Sequence, residues 1–148
     1  MTEISRRPTE VRVSRASSTE FRATNERGGS ITMGTGSDEQ FTPVELLLAA
    51  IAGCGSIDVD IATARRAEPE VFEVTATGDR VKDADGNRVD NLRVSFRIAF
   101  PPGDDGDRAR RILNSAIERA HDRLCTVSRT IEAGTPVEMF AEDPSTKE

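Results

Sequence analysis

The run Leu46-Leu-Leu-Ala-Ala-Ile-Ala-Gly-Cys54 has no polar side chain on any face. Just before it, Thr42-Pro43-Val44-Glu45 reads as a helix start. Threonine can cap, proline fits the first helical position, and glutamate three residues on completes a capping box. A helix without a polar face must be covered on every side. Beyond Gly55-Ser56 the pattern is mixed through Arg65-Arg66. Gly53 and Gly55 each cost a helix about 1 kcal/mol of propensity, but they let another backbone come close. Hydrophobic residues are only 36% of the 148, so the chain's own core is modest. A partner subunit is the natural source of the remaining cover.

The flanking segments read as strands. Val11 and Val13 alternate with polar residues, as do Phe21 and Ala23, and Ile31 and Met33 follow a turn at Glu26-Arg27-Gly28-Gly29. After the long helix, Phe72, Val74 and Ala76 alternate on one strand. Leu92, Val94, Phe96, Ile98 and Phe100 alternate on the next, and Asp83 to Asn87 supply the turn between them. Ala109, Ile112, Leu113, Ala116, Ile117, Ala120 and Leu124 form the stripe of a second helix, from about Asp107 to Leu124. A short helix is expected after Cys125 and a closing strand over Pro136 to Ala141. The order β-β-β-α-β-β-α-α-β, with strands in hairpins, is α+β: antiparallel sheets around a long buried central helix. One domain over residues 1–148 is expected, with loose ends at about 1–9 and 142–148.

Several function classes are excluded. Acidic residues outnumber basic ones, 26 to 20, for a net charge of −6, which disfavours nucleic acid and anionic membrane surfaces. Trp and Tyr are absent, which removes the usual stacking platforms for single strands. The apolar run is far shorter than the roughly 20 residues that span a bilayer. The N-terminus lacks a signal-peptide pattern, so a cytoplasmic location with both cysteines reduced is expected. Two thiols far apart in the chain do not make a zinc site, and no cofactor or metal is expected.

Taken alone, Cys54 and Cys125 read first as small packing residues. Asp58 lies one turn after Cys54 on the same face, where it would raise the thiol pKa, so a reactive Cys54 needs a cation nearby. Glu45 reads first as the capping-box residue. His121, the lone histidine, lies one turn before Cys125 at the edge of the stripe and reads first as a core-edge residue, with a His-Cys couple as the alternative.

The segment from Thr42 through Cys54 to Asp58-Val59 resembles the core motif of the OsmC/Ohr family. Cys125-Thr-Val-Ser-Arg-Thr-Ile, followed by Gly134-Thr-Pro-Val-Glu138, resembles that family's second cysteine motif. The element order is also similar, so the resemblance spans nearly the whole chain. It implies an OsmC-like fold in an intertwined homodimer with active sites at the interface. It also implies a thiol-dependent peroxidase acting on organic hydroperoxides, with Cys54 peroxidatic and Cys125 resolving. The reductant would be a lipoyl-type or thioredoxin-like dithiol. In the family's well-known branches a glutamate directly follows the motif proline and orients a catalytic arginine. Here Val44 holds that place and Glu45 follows, about 100° further round the helix. Arg15, Arg22 and Arg27 lie in the corresponding N-terminal region, and Arg22, beside Phe21, is the choice among them. The alternative to an enzyme is a non-catalytic OsmC-like dimer that binds an apolar small molecule.

Overall fold

The computed structural model describes residues 2–146, so Met1, Lys147 and Glu148, at the outer ends of the expected loose termini, lie outside the described residues. Strands β1 (Val11–Arg15), β2 (Glu20–Asn25) and β3 (Ser30–Gly34) form an antiparallel meander in that order. Val13 pairs with Ala23, and Phe21 with Met33. The β2–β3 turn is organised by Asn25, whose Oδ1 accepts from the Gly29 amide at 2.8 Å and the Arg27 amide at 3.1 Å. After β3, Phe41 forms a parallel bridge to Met33 and leads the chain into the helix.

Helix α1 is Pro43–Ala64, 22 residues long, and starts where the capping signal placed it. It continues through Gly53 and Gly55, so tertiary packing overrides their propensity cost. Gly55 shows how. A β-carbon there would sit 3.3 Å from the Phe96 ring, so the missing side chain makes room for that aromatic group. Ile51, Gly55, Val59 and Thr63, each four residues apart, form the buried line of the helix. The expected burial on every side is not what one chain provides. Leu47 is 37% exposed, Ile57 63% and Ile61 53%. Of these, Leu47 lies within the Leu46–Cys54 run expected to be buried, and Ile57 and Ile61 lie beyond it.

Strands β4 (Val71–Asp83) and β5 (Gly86–Ala99) make a long hairpin, with Gly86 at φ 125° after the turn. The alternation of Leu92, Val94, Phe96, Ile98 and Phe100 is reproduced in burial. Helix α2 is Asp104–Arg119, starting and stopping earlier than the stripe predicted. A π turn follows over Ala120–Leu124, closed by the Cys125 amide donating to the Ala120 carbonyl at 2.7 Å. The extra residue in that turn moves the buried position after Ala120 from Leu124 to Cys125. Leu124 is 44% exposed and Cys125 2%, which corrects the stripe's last member. Helix α3, Thr126–Glu132, is the short helix expected after Cys125.

The closing strand expected at Pro136 to Ala141 is absent. The segment has no strand structure, and Val137, Met139 and Phe140 are 77%, 90% and 72% exposed. A strand needs an edge to pair with, and among the described residues none pairs with this one. Contacts divide the chain into two compact units. One is Met1–Ala49 with Thr77–Leu92, and the other Ala50–Ala76 with Arg93–Glu148. The core of the second unit is built on Ala67, Phe100 and Ala109, with Ile98 and Leu113 against it. The architecture is α+β, with two antiparallel sheets and one long helix.

Candidate active site

In the first unit, Glu45 and Thr42 form the capping box. Glu45 Oε1 accepts from the Thr42 amide at 3.0 Å and the Thr42 hydroxyl at 2.9 Å, and the Glu45 amide donates to Thr42 Oγ1 at 3.3 Å. Those bonds, helped by the charge of Arg80, hold the Glu45 carboxyl below its ordinary value. Arg80, on β4, also donates to Thr42 Oγ1 at 3.5 Å. The sequence reading did not single out Arg80. Its only signal is its place near the tip of the hairpin, which local pattern does not connect to Thr42. Arg22 lies exposed on β2, opposite Ser14 and Thr32, and its side chain has no hydrogen bond or ion pair among the described residues.

In the second unit, Cys54, Asp58 and Cys125 come together. The two sulfurs and a carboxylate oxygen of Asp58 all lie within 4.8 Å of one another. Helical spacing puts Asp58 one turn beyond Cys54, and the π turn aims Cys125 at both. Cys125 is buried and Cys54 half-buried, and neither is in a disulfide. Asp58 Oδ2 is buried without a hydrogen-bond partner.

The first turn of α3 serves both sulfurs. The Val127 amide bonds to Cys54, and the Ser128 amide and hydroxyl to Cys125. In its thiol form Cys125 donates to Ser128 Oγ at 3.2 Å. The sulfurs lie within 4.8 Å of each other and interact, so the pair titrates as a unit. Burial pushes the Cys54 thiol up against the Val127 amide, and Cys125 and the Asp58 charge push the same way. Burial also opposes ionisation of Cys125, but the bonds from Ser128 and from Cys54 outweigh it and draw that thiol down.

His121 forms no couple with a cysteine. Its Nδ1 meets Asp122 and its Nε2 meets Glu132, each at 2.8 Å, so both ring nitrogens are engaged by carboxylates. Its pKa is raised, first by Glu132 and then by Asp122.

The profile of the family described as OsmC-like protein matches residues 35–140, which takes in both cysteines. The uncharacterized protein Rv2923c of Mycobacterium tuberculosis is 29% identical over 139 residues, covering 91% of this chain and 97% of that one. Among solved structures, an OsmC-like protein of Mycoplasma pneumoniae has a TM-score of 0.65 at 15% identity, covering 85% of this chain and 88% of that one. The organic hydroperoxide resistance protein OhrB of Bacillus subtilis has a TM-score of 0.52 at 15% identity, covering 83% and 90%. At these identities the structural likenesses speak for the fold.

Proposed function

This chain belongs to the OsmC-like protein family, and on that premise we propose that it is a thiol-dependent peroxidase that reduces organic hydroperoxides through Cys54 and Cys125. The observation that carries the reading is the approach of the two sulfurs, within 4.8 Å of each other in a reduced state. A movement of a few ångströms brings them to the roughly 2 Å of a disulfide. The named organic hydroperoxide resistance proteins among the structural neighbours point the same way.

Access supports this division of roles. A peroxide must reach its thiol, and Cys54 is half-buried whereas Cys125 is 2% exposed. Cys54 thiolate attacks the outer peroxide oxygen, the O–O bond breaks, and the alkoxide leaves as alcohol after taking up a proton. Cys54 is then a sulfenic acid. Cys125 attacks its sulfur, forming the disulfide and releasing water. A dithiol, lipoyl-type or thioredoxin-like, reopens the bridge by exchange and is itself oxidised. Apolar residues along α1 favour hydroperoxides with an apolar tail.

The same reading takes the 148 residues as one domain, since the family match runs through both compact units. It takes the protein as a homodimer with the active sites at the interface, which exposed Ile57, Ile61, Met139 and Phe140 support. Two unpaired cysteines suit a reducing, cytoplasmic setting. Glu45 enters as the residue that fixes the start of α1, and Arg80 joins Arg22 as a candidate for the arginine such sites use.

The test is intact mass after one equivalent of cumene hydroperoxide on reduced, metal-free protein. The parent loses two protons as the disulfide forms. Cys125→Ser gains one or more oxygens, and Cys54→Ser stays unchanged. An inert parent with both thiols free rejects the peroxidase in favour of a non-catalytic binding dimer.

A further inference from the structure

We propose that the reduced site is also a zinc site, with Cys54 Sγ, Cys125 Sγ and an Asp58 carboxylate oxygen as its three protein ligands. Their mutual distances, all within 4.8 Å, are those of donors around one small cation. Tetrahedral zinc with Zn–S bonds of about 2.3 Å places its sulfurs about 3.8 Å apart, so binding needs at most a small closing movement. Two soft thiolates and one carboxylate suit Zn²⁺, and hard Mg²⁺ and Ca²⁺ prefer all-oxygen sets. The fourth position falls to water, which enters on the half-exposed Cys54 side.

Asp58 is the decisive member. Disulfide chemistry between two thiols does not call for a carboxylate beside them. Its Oδ2 is nevertheless buried and unpartnered, an arrangement that costs free energy unless a cation or donor meets it. The amides of Val127 and Ser128 on the two sulfurs supply the outer hydrogen bonds that tune metal thiolates. A sequence search that counts thiols and histidines misses this site, because its third ligand is an aspartate one helical turn from the first.

Binding replaces two thiol protons: Zn²⁺ joins the dithiol and carboxylate, and two protons leave. No oxidation state changes. The metal ties up the thiolate that would attack a peroxide, so the zinc form is the unreactive, stored form of the reduced pair. When a hydroperoxide does oxidise the pair, ROOH and two protons give ROH, water and the disulfide, and Zn²⁺ is released because two of its ligands are gone. This regulatory half rests on the peroxidase reading, whereas the metal binding does not.

The experiment titrates reduced, metal-free protein with Zn²⁺ against a chromophoric chelator, and separately with Co²⁺ by absorbance. The expected result is one equivalent bound, with sulfur-to-cobalt charge transfer and the intense visible bands of tetrahedral Co²⁺. Asp58→Asn should weaken Zn²⁺ by about 10–100-fold. Each Cys→Ser variant and the disulfide form should lose tight binding. Zn²⁺ affinity unchanged in Asp58→Asn, or an octahedral Co²⁺ spectrum in the parent, overturns the site. The cobalt spectrum of the parent decides the matter even if Asp58→Asn does not fold. Intact-mass oxidation of the metal-free protein separates the two proposals: zinc binding by a peroxide-inert protein refutes only the peroxidase, and disulfide formation without zinc binding refutes only the metal site.

Discussion

Asp58 stands one helical turn beyond Cys54, and its carboxylate lies within 4.8 Å of that sulfur. An anion so placed works against a bare thiolate and for a bound cation. Beside a cysteine that is only activated, a positive group would be the expected neighbour instead.

The capping box makes a stability prediction. Thr42→Ala removes the hydroxyl that Glu45, Arg80 and the Glu45 amide share. The expected cost is about 1 kcal/mol, or roughly 2–4 °C in Tm for a chain of this size. Glu45→Ala adds a pH signature. The folded Glu45 carboxyl is lowered by the Thr42 amide and hydroxyl, so its contribution is present above the ordinary carboxylate range. It is lost as pH falls through the lowered value. The Tm gap between parent and Glu45→Ala should therefore narrow in acid. A gap that widens in acid contradicts the assignment.

His121 has the opposite sign. Its folded pKa lies above the ordinary 6.5 because Glu132 and then Asp122 favour the charged ring. Its support is full below 6.5 and fades as pH rises through the raised value. All three side chains are well exposed, so the contribution is at most about 1 kcal/mol. Proton NMR of the single histidine should give a midpoint above 6.5, and Glu132→Gln should bring it down. A parent midpoint below 6.5 refutes the bridge.

Two glycines should respond differently to alanine. At Gly55 the new methyl meets the Phe96 ring at 3.3 Å, and the ring can yield by a few tenths of an ångström. The propensity gain of about 1 kcal/mol roughly offsets that strain, so Gly55→Ala should be near neutral. Gly55→Val should cost about 1–3 kcal/mol by overpacking. At Gly106 the β-carbon falls 1.7 Å from the Pro101 carbonyl oxygen, and backbone cannot step aside so easily. Gly106→Ala should lose at least about 3 kcal/mol in urea unfolding. Equal stabilities for the two alanine variants contradict the packing described.

The proposed dimer predicts sedimentation at about twice 16.1 kDa at micromolar concentration. Ile57→Lys with Ile61→Lys should shift the protein towards monomer. A parent that stays monomeric and folded removes the dimer and the shared sites with it. Detection needs a wavelength other than 280 nm, since Trp and Tyr are absent.

The parts of the fold written in local chemistry were legible in the sequence. Thr42, Pro43 and Glu45 fix the start of α1, and alternation from Leu92 to Phe100 fixes the faces of β5. Both cysteines were legible as candidates through the resemblance of their motifs. What escaped depends on distance in sequence or on a broken period. Arg80 reaches Thr42 from the hairpin. The stripe of α2 was extended one residue position wrongly because nothing in Ala-His-Asp-Arg-Leu announces a π turn. The strand expected over Pro136 to Ala141 has no neighbour to pair with among the described residues.

The π turn before Cys125 also bears on how relatives of this chain should be compared. It holds one residue more than the α-helical turn it replaces, and the side chain after it still points where the stripe points. A relative with one residue fewer between the cysteines can keep the same thiol in the same place simply by winding that turn as ordinary helix. Cysteine spacing alone therefore does not decide whether two such chains place their thiols alike. A gap placed between Ala120 and Leu124 is where an alignment can absorb the difference without separating the two thiols.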